Sequence, residues 1–438
     1  MKVLKFGGTS VGTAERIKNV ARLIVGRGRN IVVLSAMSGT TNSLVEIADY
    51  LYRGNISGAK ETIFALESKY TDTVYSLFGK NTFADTALVE LRGIFNYLRS
   101  FTPESFGPVQ EKEILSQGEL MSTLLMSLYL RQQGHICDVI PALDYVRIDN
   151  NGEPQMAYIA QKLKSLMQRH PEAEVLITQG YICRNENGEV DNLRRGGSDY
   201  TASIIAAVIQ ADEVQIWTDI DGMHNNDPRY VEGTSPVHEL HFEEAAELAY
   251  FGAKILHPTC VLPAKLHNIP VRLLNTLQPD AEGTLIHTTP ATGTIKAVAA
   301  KDNITAIKIK SGRMLLAHGF LNKVFETFDK YRTAVDMVAT SEVGVSLTID
   351  NEQYLRPIID ELKEFGTVTV DRDMVIICVV GDLEWHNCGF ESKVLSALSD
   401  IPIRMISYGG SNYNISVLVG KDDKIKALNK LSSALFNG

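Results

Sequence analysis

Cysteine is scarce in this chain. There are five in 438 residues (Cys137, Cys183, Cys260, Cys378 and Cys388), an odd number, and no two stand in a Cys-x-x-Cys spacing. That spacing offers neither a zinc site nor a disulfide framework, so reduced thiols and a cytoplasmic protein are expected. Long apolar runs are missing too. The most apolar helical stretch, Ile204 to Ile209 with its flanking alanines, is far too short to span a bilayer. The first residues place Lys2 and Lys5 inside an apolar strand with no signal-peptide core, so no secretion signal and no membrane partner are expected. Positive charge is not in excess. Lys and Arg number 43 against 52 Asp and Glu, and a net charge of −9 argues against a general nucleic-acid binder. Two familiar phosphate-binding signatures, Gly-x-x-x-x-Gly-Lys-Ser/Thr and Gly-x-Gly-x-x-Gly, are absent as well.

What is present is ordinary for a globular protein, with 45% hydrophobic and 22% charged residues. The length exceeds what one core normally serves, so two or three domains are expected. In an acidic chain an anionic ligand needs locally placed cations. Lysines and arginines beside glycine turns therefore become informative.

From Val3 to about Leu274, short apolar runs alternate with helical patterns. Strands are read at 3–6, 31–35, about 139–140, 175–178, 214–217 and 271–274. Helices are read near 14–27, 42–53, 112–133, 156–169, 199–210 and 242–251. This alternation predicts a mainly parallel sheet covered on both faces, with ligands beyond the C-terminal strand ends. The stretch 55–110 reads as a helical, irregular insertion over one sheet edge. After Leu274 the residues Pro279, Gly283, Thr288, Thr289, Pro290, Thr292 and Gly293 form a turn-rich linker. Two similar segments follow, about 304–349 and 375–419. His318-Gly319-Phe320-Leu321-Asn322-Lys323-Val324-Phe325 parallels Cys388-Gly389-Phe390-Glu391-Ser392-Lys393-Val394-Leu395, and Val338–Ser341 parallels Ile406–Gly409. The shared order of elements indicates an internal duplication of a small α/β unit.

The strand ends carry the chemistry. Lys5-Phe6-Gly7-Gly8-Thr9-Ser10 joins a lysine, a glycine turn and a helix start near Thr13, which together suit an anion such as phosphate. Ser35-Ala36-Met37-Ser38-Gly39-Thr40-Thr41-Asn42 is a hydroxyl-rich turn that binds an anion or supplies a helix cap through Thr41 or Asn42. In Gln117-Gly118-Glu119-Leu120-Met121-Ser122 a glycine and an acid interrupt a helical pattern, and Glu119 is either a solvated-face acid or a partner for a substrate ammonium group. Arg194-Arg195-Gly196-Gly197-Ser198-Asp199 places two arginines and two glycines before an apolar helix, which suits a second anion such as a carboxylate. Here Ser198 or Asp199 caps the helix, or Asp199 orients a lysine or accepts an amine. Trp217-Thr218-Asp219, Asn226-Asp227-Pro228-Arg229 and Phe251-Gly252-Ala253-Lys254 complete the set, with acids and amides for magnesium or an adenosine and Lys254 for a phosphate. Two Gly-Gly turns with cations at the ends of one sheet form a kit for phosphoryl transfer.

On these motifs the chain resembles the aspartate kinases (aspartokinases) of the amino-acid kinase family, followed by a pair of ACT regulatory domains, over nearly its whole length. The resemblance implies a carbamate-kinase-like αβα sandwich at 1–285 and a regulatory region at 295–438. The latter would hold two ferredoxin-like ACT domains, about 304–370 and 371–438, with interleaving of the two left open. It implies phosphorylation of L-aspartate by ATP with Mg2+, no metal ligands being assigned to the protein. Lys5 and Asp199 would be catalytic, Asp199 aligning Lys5. Lys5, Phe6, Gly7, Gly8, Thr218, Asp219, His224, Arg229, Lys254 and Ile255 would bind ATP, His224 standing where the family often has tyrosine. Ser35, Thr41, Glu119, Arg195, Gly196, Gly197 and Ser198 would bind aspartate, Arg195 on its α-carboxylate and Glu119 on its ammonium group. The run Val335–Glu342 resembles the effector strand of lysine-sensitive forms, so Met314, Ala317, Gly319, Phe320, Leu321, Asp336, Ser341 and Glu342 would hold L-lysine, with threonine or no effector as the alternatives. The chain resembles the monofunctional forms, and its ACT pair implies a homodimer or a dimer of dimers. A glutamate-using kinase of the same fold and a non-catalytic amino-acid sensor are the competing readings. The motif Gly118–Ser122 and the ACT pair speak against the first, and retention of Lys5 and Asp199 against the second.

Overall fold

The computed structural model describes residues 1–26, 28–193, 196–252, 256–288, 294–311 and 319–436. They divide into two compact units, Met1–Met223 with Leu256–Thr288, and His224–Ile255 with Thr289–Gly438. In chain order the first unit forms β1 (Lys2–Phe6), α1 (Ala14–Ile24), β2 (Asn30–Leu34), α2 (Thr40–Tyr52), α3 (Ile56–Phe78), α4 (Thr82–Ser100), α5 (Pro108–Gln132), β3 (Cys137–Val139), α6 (Met156–Arg169), β4 (Val175–Gln179), β5 (Ile182–Arg184), β6 (Val190–Asn192), α7 (Gly197–Ile209) and β7 (Glu213–Thr218). Two elements of the second unit come next, β8 (Glu239–His241) and α8 (Phe242–Phe251). Then α9 (Leu262–Leu266), β9 (Val271–Asn275) and β10 (Thr284–His287) complete the first.

Within the first unit the sheet runs β3-β4-β2-β1-β7-β9-β10, parallel throughout except for the antiparallel pair β9–β10. Every residue of β2 and β4 is buried, as expected for inner strands covered on both faces. Side-chain alternation sorts β1. Leu4 and Phe6 join the core shared with α1 to α5, while Lys5 points the other way and meets Asp199 on α7. Local chemistry starts the helices where the sequence indicates. Arg16 N–H donates to Thr13 Oγ1 at the start of α1, and Asn81 Oδ1 accepts from Phe83 and Ala84 at the start of α4.

The stretch 55–110 departs in part from its expectation. It is helical as expected, but not irregular. Helices α3 and α4 are long and regular, and Ile63, Leu66, Tyr70, Val74, Leu91 and Phe95 are buried in the same core as Leu4, Phe6 and Ile17. Apolar residues at helical spacing on both segments are sufficient to dock them on α2 and α5.

The second unit continues with β11 (Ile295–Lys310), α10 (Phe320–Lys330), β12 (Val338–Ser341), β13 (Gly344–Ile349), α11 (Leu355–Leu362), β14 (Thr367–Gly381), α12 (Phe390–Ala397), β15 (Ile403–Tyr408), β16 (Asn414–Gly420) and α13 (Lys424–Phe436). Its antiparallel sheet runs β12-β13-β11-β14-β16-β15. The long strands β11 and β14 serve both repeats. Residues 304–310 pair with 367–374, and residues 295–301 pair with 376–381. The register shifts between the halves, where Asn303 and Asp373 take φ of 60° and 53°. Each half covers its own core, one around Val324 and Leu347, the other around Val394 and Val417.

The duplication is visible atom by atom. Gly319 and Gly389 each precede their helix at positive φ, 81° and 99°. Lys323 N–H donates to Gly319 O and Lys393 N–H to Gly389 O, both at 3.2 Å. Val324 and Val394 are both 0% exposed. Equivalent burial predicts equivalent cost. Val324→Ala and Val394→Ala should each destabilise the chain by about 2 kcal/mol. Thermal unfolding of the two variants should give matching losses, and a loss for one alone would contradict the equivalence.

Candidate active site

The order of the sheet reverses between β1 and β7. From β1 the chain moves to β2 and β4 on one side, then returns to β7 and β9 on the other. In such sheets the crevice beyond the strand ends at the reversal is where a ligand fits. The Gly7-Gly8 turn lies there. Gly7 N–H donates to Trp217 O (3.3 Å), Ser38 N–H to Gly8 O (3.0 Å) and Ser10 N–H to Gly7 O (3.0 Å). A Cβ on Gly8 would stand 2.7 Å from Ala36 O, so only glycine lets the turns after β1 and β2 meet. Phe6 has its ring in the core, 5.7 Å from the ring of Trp217 and stacked on it, which leaves only its backbone for a ligand.

Lys5 Nζ lies 2.7 Å from Asp199 Oδ1, and both side chains are 12% exposed. Asp199 stands in the first turn of α7. The helix is preceded by Gly196 in the left-handed conformation, without a side-chain cap. The expectation that Ser198 or Asp199 caps this helix is therefore corrected. Both lie inside the first turn, and their side chains are left for other work. Gly196 is required by contact as well as by φ, since a Cβ there would meet Cys260 Sγ at 2.4 Å.

Glu119 is the second charged centre. It is not on a solvated face, and no glycine interrupts its helix. Residues 117–119 are buried mid-way along the continuous α5. Gly118 brings that helix against the Ser35–Ala36 turn, where a Cβ would come within 2.7 Å of Ala36 Cβ. Glu119 Oε1 accepts from Ala36 N–H at 3.2 Å, and Ser122 Oγ donates to Ser35 O at 2.8 Å. Burial pushes the Glu119 carboxyl up to about 8, against a smaller opposing pull from the Ala36 N–H.

The hydroxyl turn is held from α3. Thr40 Oγ1 and Tyr70 OH are 3.0 Å apart, and Lys69 Nζ donates to Ser38 O at 2.6 Å. Helix α2 begins at Thr40 after left-handed Gly39, so neither Thr41 nor Asn42 is its cap, and Thr41 is exposed in its first turn. Thr218 ends β7 and Asp219 follows it, with Thr218 Oγ1 3.2 Å from Asp219 Oδ1 and Thr276 Oγ1 donating to Thr218 O at 2.8 Å. His224 and Arg229 belong to the second unit. There His224 Nδ1 is 3.1 Å from Thr234 Oγ1, and exposed Arg229 pairs with Asp227 at 2.6 Å. Arg194, Arg195, Ala253, Lys254, Ile255, Met314 and Ala317 lie outside the described residues.

Among the effector candidates, Gly319, Phe320 and Leu321 form the start of α10. Ser341 and Glu342 are exposed at and just beyond the end of β12. Asp336 is not a solvated acid. Its side chain is 1% exposed and its Oδ1 is held by Lys301 Nζ (2.7 Å) and Tyr250 OH (2.6 Å). Its Oδ2 is buried without a partner among the described residues. Ser10, Lys69, Tyr70, Ser122 and Tyr181 escaped the sequence reading. Ser10 had a signal in its place directly after the glycine turn. Ser122 had one in its place within the Gly118–Ser122 motif, and Lys69 and Tyr70 had none, because partners 31 and 30 positions away hold them.

The pattern of the amino acid kinase family matches residues 1–275, and that of the ACT domain matches residues 377–435. The lysine-sensitive aspartokinase 3 of Escherichia coli (strain K12) is 32% identical over 453 residues, covering 99% of this chain and 99% of that one. Escherichia coli aspartokinase III solved with aspartate and ADP (R-state) is similar at a TM-score of 0.81 and 33% identity, covering 100% of both chains. The same enzyme with lysine and aspartate (T-state) gives 0.82 at 33% identity, covering 100% of this chain and 99% of that one.

The raised Glu119 carboxyl makes a prediction for stability. A carboxyl at about 8 in the folded chain and 4.5 in the unfolded one favours folding only while protonated. Stability is then full below about pH 4.5 and declines as pH rises to about 8. Glu119→Gln, which keeps an acceptor for Ala36 N–H, should match the wild type near pH 4.5 and exceed it increasingly up to pH 8. Urea unfolding at several pH values checks this, and a wild-type advantage at pH 8 would contradict it.

Proposed function

The chain belongs to the aspartokinases of the amino acid kinase family, and we propose from this that it transfers the γ-phosphoryl group of ATP to the β-carboxylate of L-aspartate. The products are 4-phospho-L-aspartate and ADP, the first step toward lysine, threonine and methionine. The observation that carries the reading is the Lys5–Asp199 pair between two Gly-Gly turns at the reversal of a parallel sheet. One β-carboxylate oxygen attacks the γ-phosphorus while the bond to the bridging oxygen of ADP breaks. The substrate is its own nucleophile, so no covalent intermediate on the protein is needed. The chain's task is placement and charge.

Lys5 lies on the transferred group, and Asp199 keeps its ammonium from swinging away. Backbone N–H groups around Gly7 and Gly8 take the phosphates, and Thr218, Asp219, His224, Arg229, Lys254 and Ile255 take the rest of the nucleotide. Arg195 holds the α-carboxylate of aspartate and Glu119 its ammonium group, with Ser35, Thr41, Gly196, Gly197 and Ser198 completing the site. Among the described residues no cluster of three His, Cys, Asp or Glu could hold a metal. Mg2+ would be carried by the phosphate oxygens of ATP, a donor set that suits it, and would supply charge neutralisation there. The catalytic domain is residues 1–285 and the regulatory region 295–438.

Lysine binds the first repeat and inhibits. A ligand ammonium finds an acid there, because Asp336 Oδ2 is buried and unpartnered among the described residues. In the second repeat Arg404 stands in the corresponding place and pairs with Asp371 at 2.8 Å. The regulatory regions join copies of the chain into a dimer or a dimer of dimers. Among the described residues no helix is long and apolar enough to cross a membrane. The five free cysteines favour the cytoplasm.

Lys5→Ala should lower kcat about a hundredfold or more, measured as ADP release with aspartate and ATP. A folded variant with near-native kcat would remove Lys5 from the chemistry. Asp336→Ala should relieve inhibition by lysine with the uninhibited kcat roughly intact. Calorimetric titration should show lysine binding to the wild type and not to the variant, and binding that survives the substitution would dismiss this site.

A further inference from the structure

Tyr181 is held in a backbone conformation that tyrosine rarely takes. Its φ is 69°, and Ile182 N–H donates across it to Gly180 O at 2.7 Å. Closure over one residue at positive φ is the rare and strained form of the γ-turn. For a bulky side chain it is a true outlier. The surroundings impose it from three sides. Gly180 N–H donates to Leu34 O (2.9 Å), Leu193 N–H donates to Tyr181 O (2.7 Å), and Tyr181 N–H donates to Thr201 Oγ1 on α7 (3.1 Å). Glycine would adopt this turn without strain. What the position retains at a cost is therefore a side chain, and strain held this way points to function.

The ring lies against the second Gly-Gly turn. A Cβ on Gly197 would come within 2.7 Å of Tyr181 Cδ2. Gly180 is equally close to Ser198, whose Oγ would stand 2.4 Å from an added Cβ. The ring packs on the core beneath α5, yet the residue is only half-buried, so part of it stays open. Glu119 is near enough to act on it. Burial first, and the Glu119 charge second, push the phenol up to about 12, so it remains neutral at working pH. Tyr181 thus stands between the groups proposed for the ammonium end of aspartate and those at Gly197–Ser198.

We infer that Tyr181 is a specificity-determining residue whose ring closes the acid pocket between Glu119 and the Gly197–Ser198 turn. This rests on the aspartate kinase reading above. The ring restricts the site to aspartate and excludes its one-methylene-longer homologue. With the ring in place, glutamate either loses Glu119 or carries its distal carboxylate past the in-line position. A methylene misfit of this kind is worth on the order of tenfold to two-hundredfold in kcat/KM.

The test compares Tyr181→Gly, Tyr181→Asn and Tyr181→Phe with the wild type, using ADP release with aspartate and with glutamate. Glycine and asparagine both tolerate positive φ, so the strain relieved in the turn offsets part of the core packing lost with the ring, and the melting temperature of each variant is measured alongside to show that it is folded. In both, KM for aspartate should rise about tenfold, KM for ATP should stay within about twofold, and the preference for aspartate over glutamate should fall about tenfold or more. Phenylalanine should retain the wild-type preference. Ringless variants with wild-type KM and preference would overturn the inference, as would KM values for aspartate and ATP that rise together. Wild-type protein that turns over no aspartate would instead sink the kinase reading, and this inference with it.

Discussion

The ion pair of Lys5 with Asp199 sets the terms for the catalytic unit. Both side chains are mostly withdrawn from water, and two charges so placed must remain together. Removing either strands the other at a cost of several kcal/mol. The pair links β1 to the first turn of α7 on the face of the sheet opposite the core that Leu4 and Phe6 enter. The turns around it can approach only where side chains are missing. Gly8 lies against Ala36 O, Gly196 against Cys260 Sγ, and Gly180 against Ser198. The glycines are thus the geometric condition for a preorganised cation, because a methyl at any of them would push the strand ends apart.

Glu119 supplies the opposite polarity. It is buried without a permanent cation among its described contacts, and its carboxyl is correspondingly reluctant to ionise. A ligand ammonium group would relieve that, since opposite charge favours the ionised form. A cation held by a partner and an acid without one give the site two poles of opposite charge. The helical pair α3 and α4 contributes indirectly. Tyr70 and Lys69 hold the hydroxyl turn, so a segment remote in sequence stiffens the turn after β2.

The second unit shows how a duplicated fold becomes asymmetric. Its two repeats share long strands, matching glycines and matching buried valines. They differ where charge matters. Asp336 is a buried acid with one oxygen held by Lys301 and Tyr250 and one unpartnered among the described residues. Arg404, in the corresponding place, is already paired with Asp371. Packing retained the architecture of both repeats, while the charge at this one position is opposite in the two.

The sequence alone determined the parallel sheet, its strands and most helices, because buried strands read as continuous apolar runs and covering helices repeat at their own period. It determined the two Gly-Gly turns with their neighbouring charges, because glycine and charge beside a strand end have few other uses, whereas the partner of Lys5 was left open by the local pattern. It determined the duplication through the repeated Gly-Phe and Lys-Val spacing. The tertiary structure alone decided that α3 and α4 are part of the core, that Gly39 and Gly196 rather than Thr41, Ser198 or Asp199 precede their helices, and that Glu119 and Asp336 are buried. It alone revealed the strained turn at Tyr181. Burial and backbone conformation at these positions are imposed by residues far away in the chain, so no local pattern could encode them.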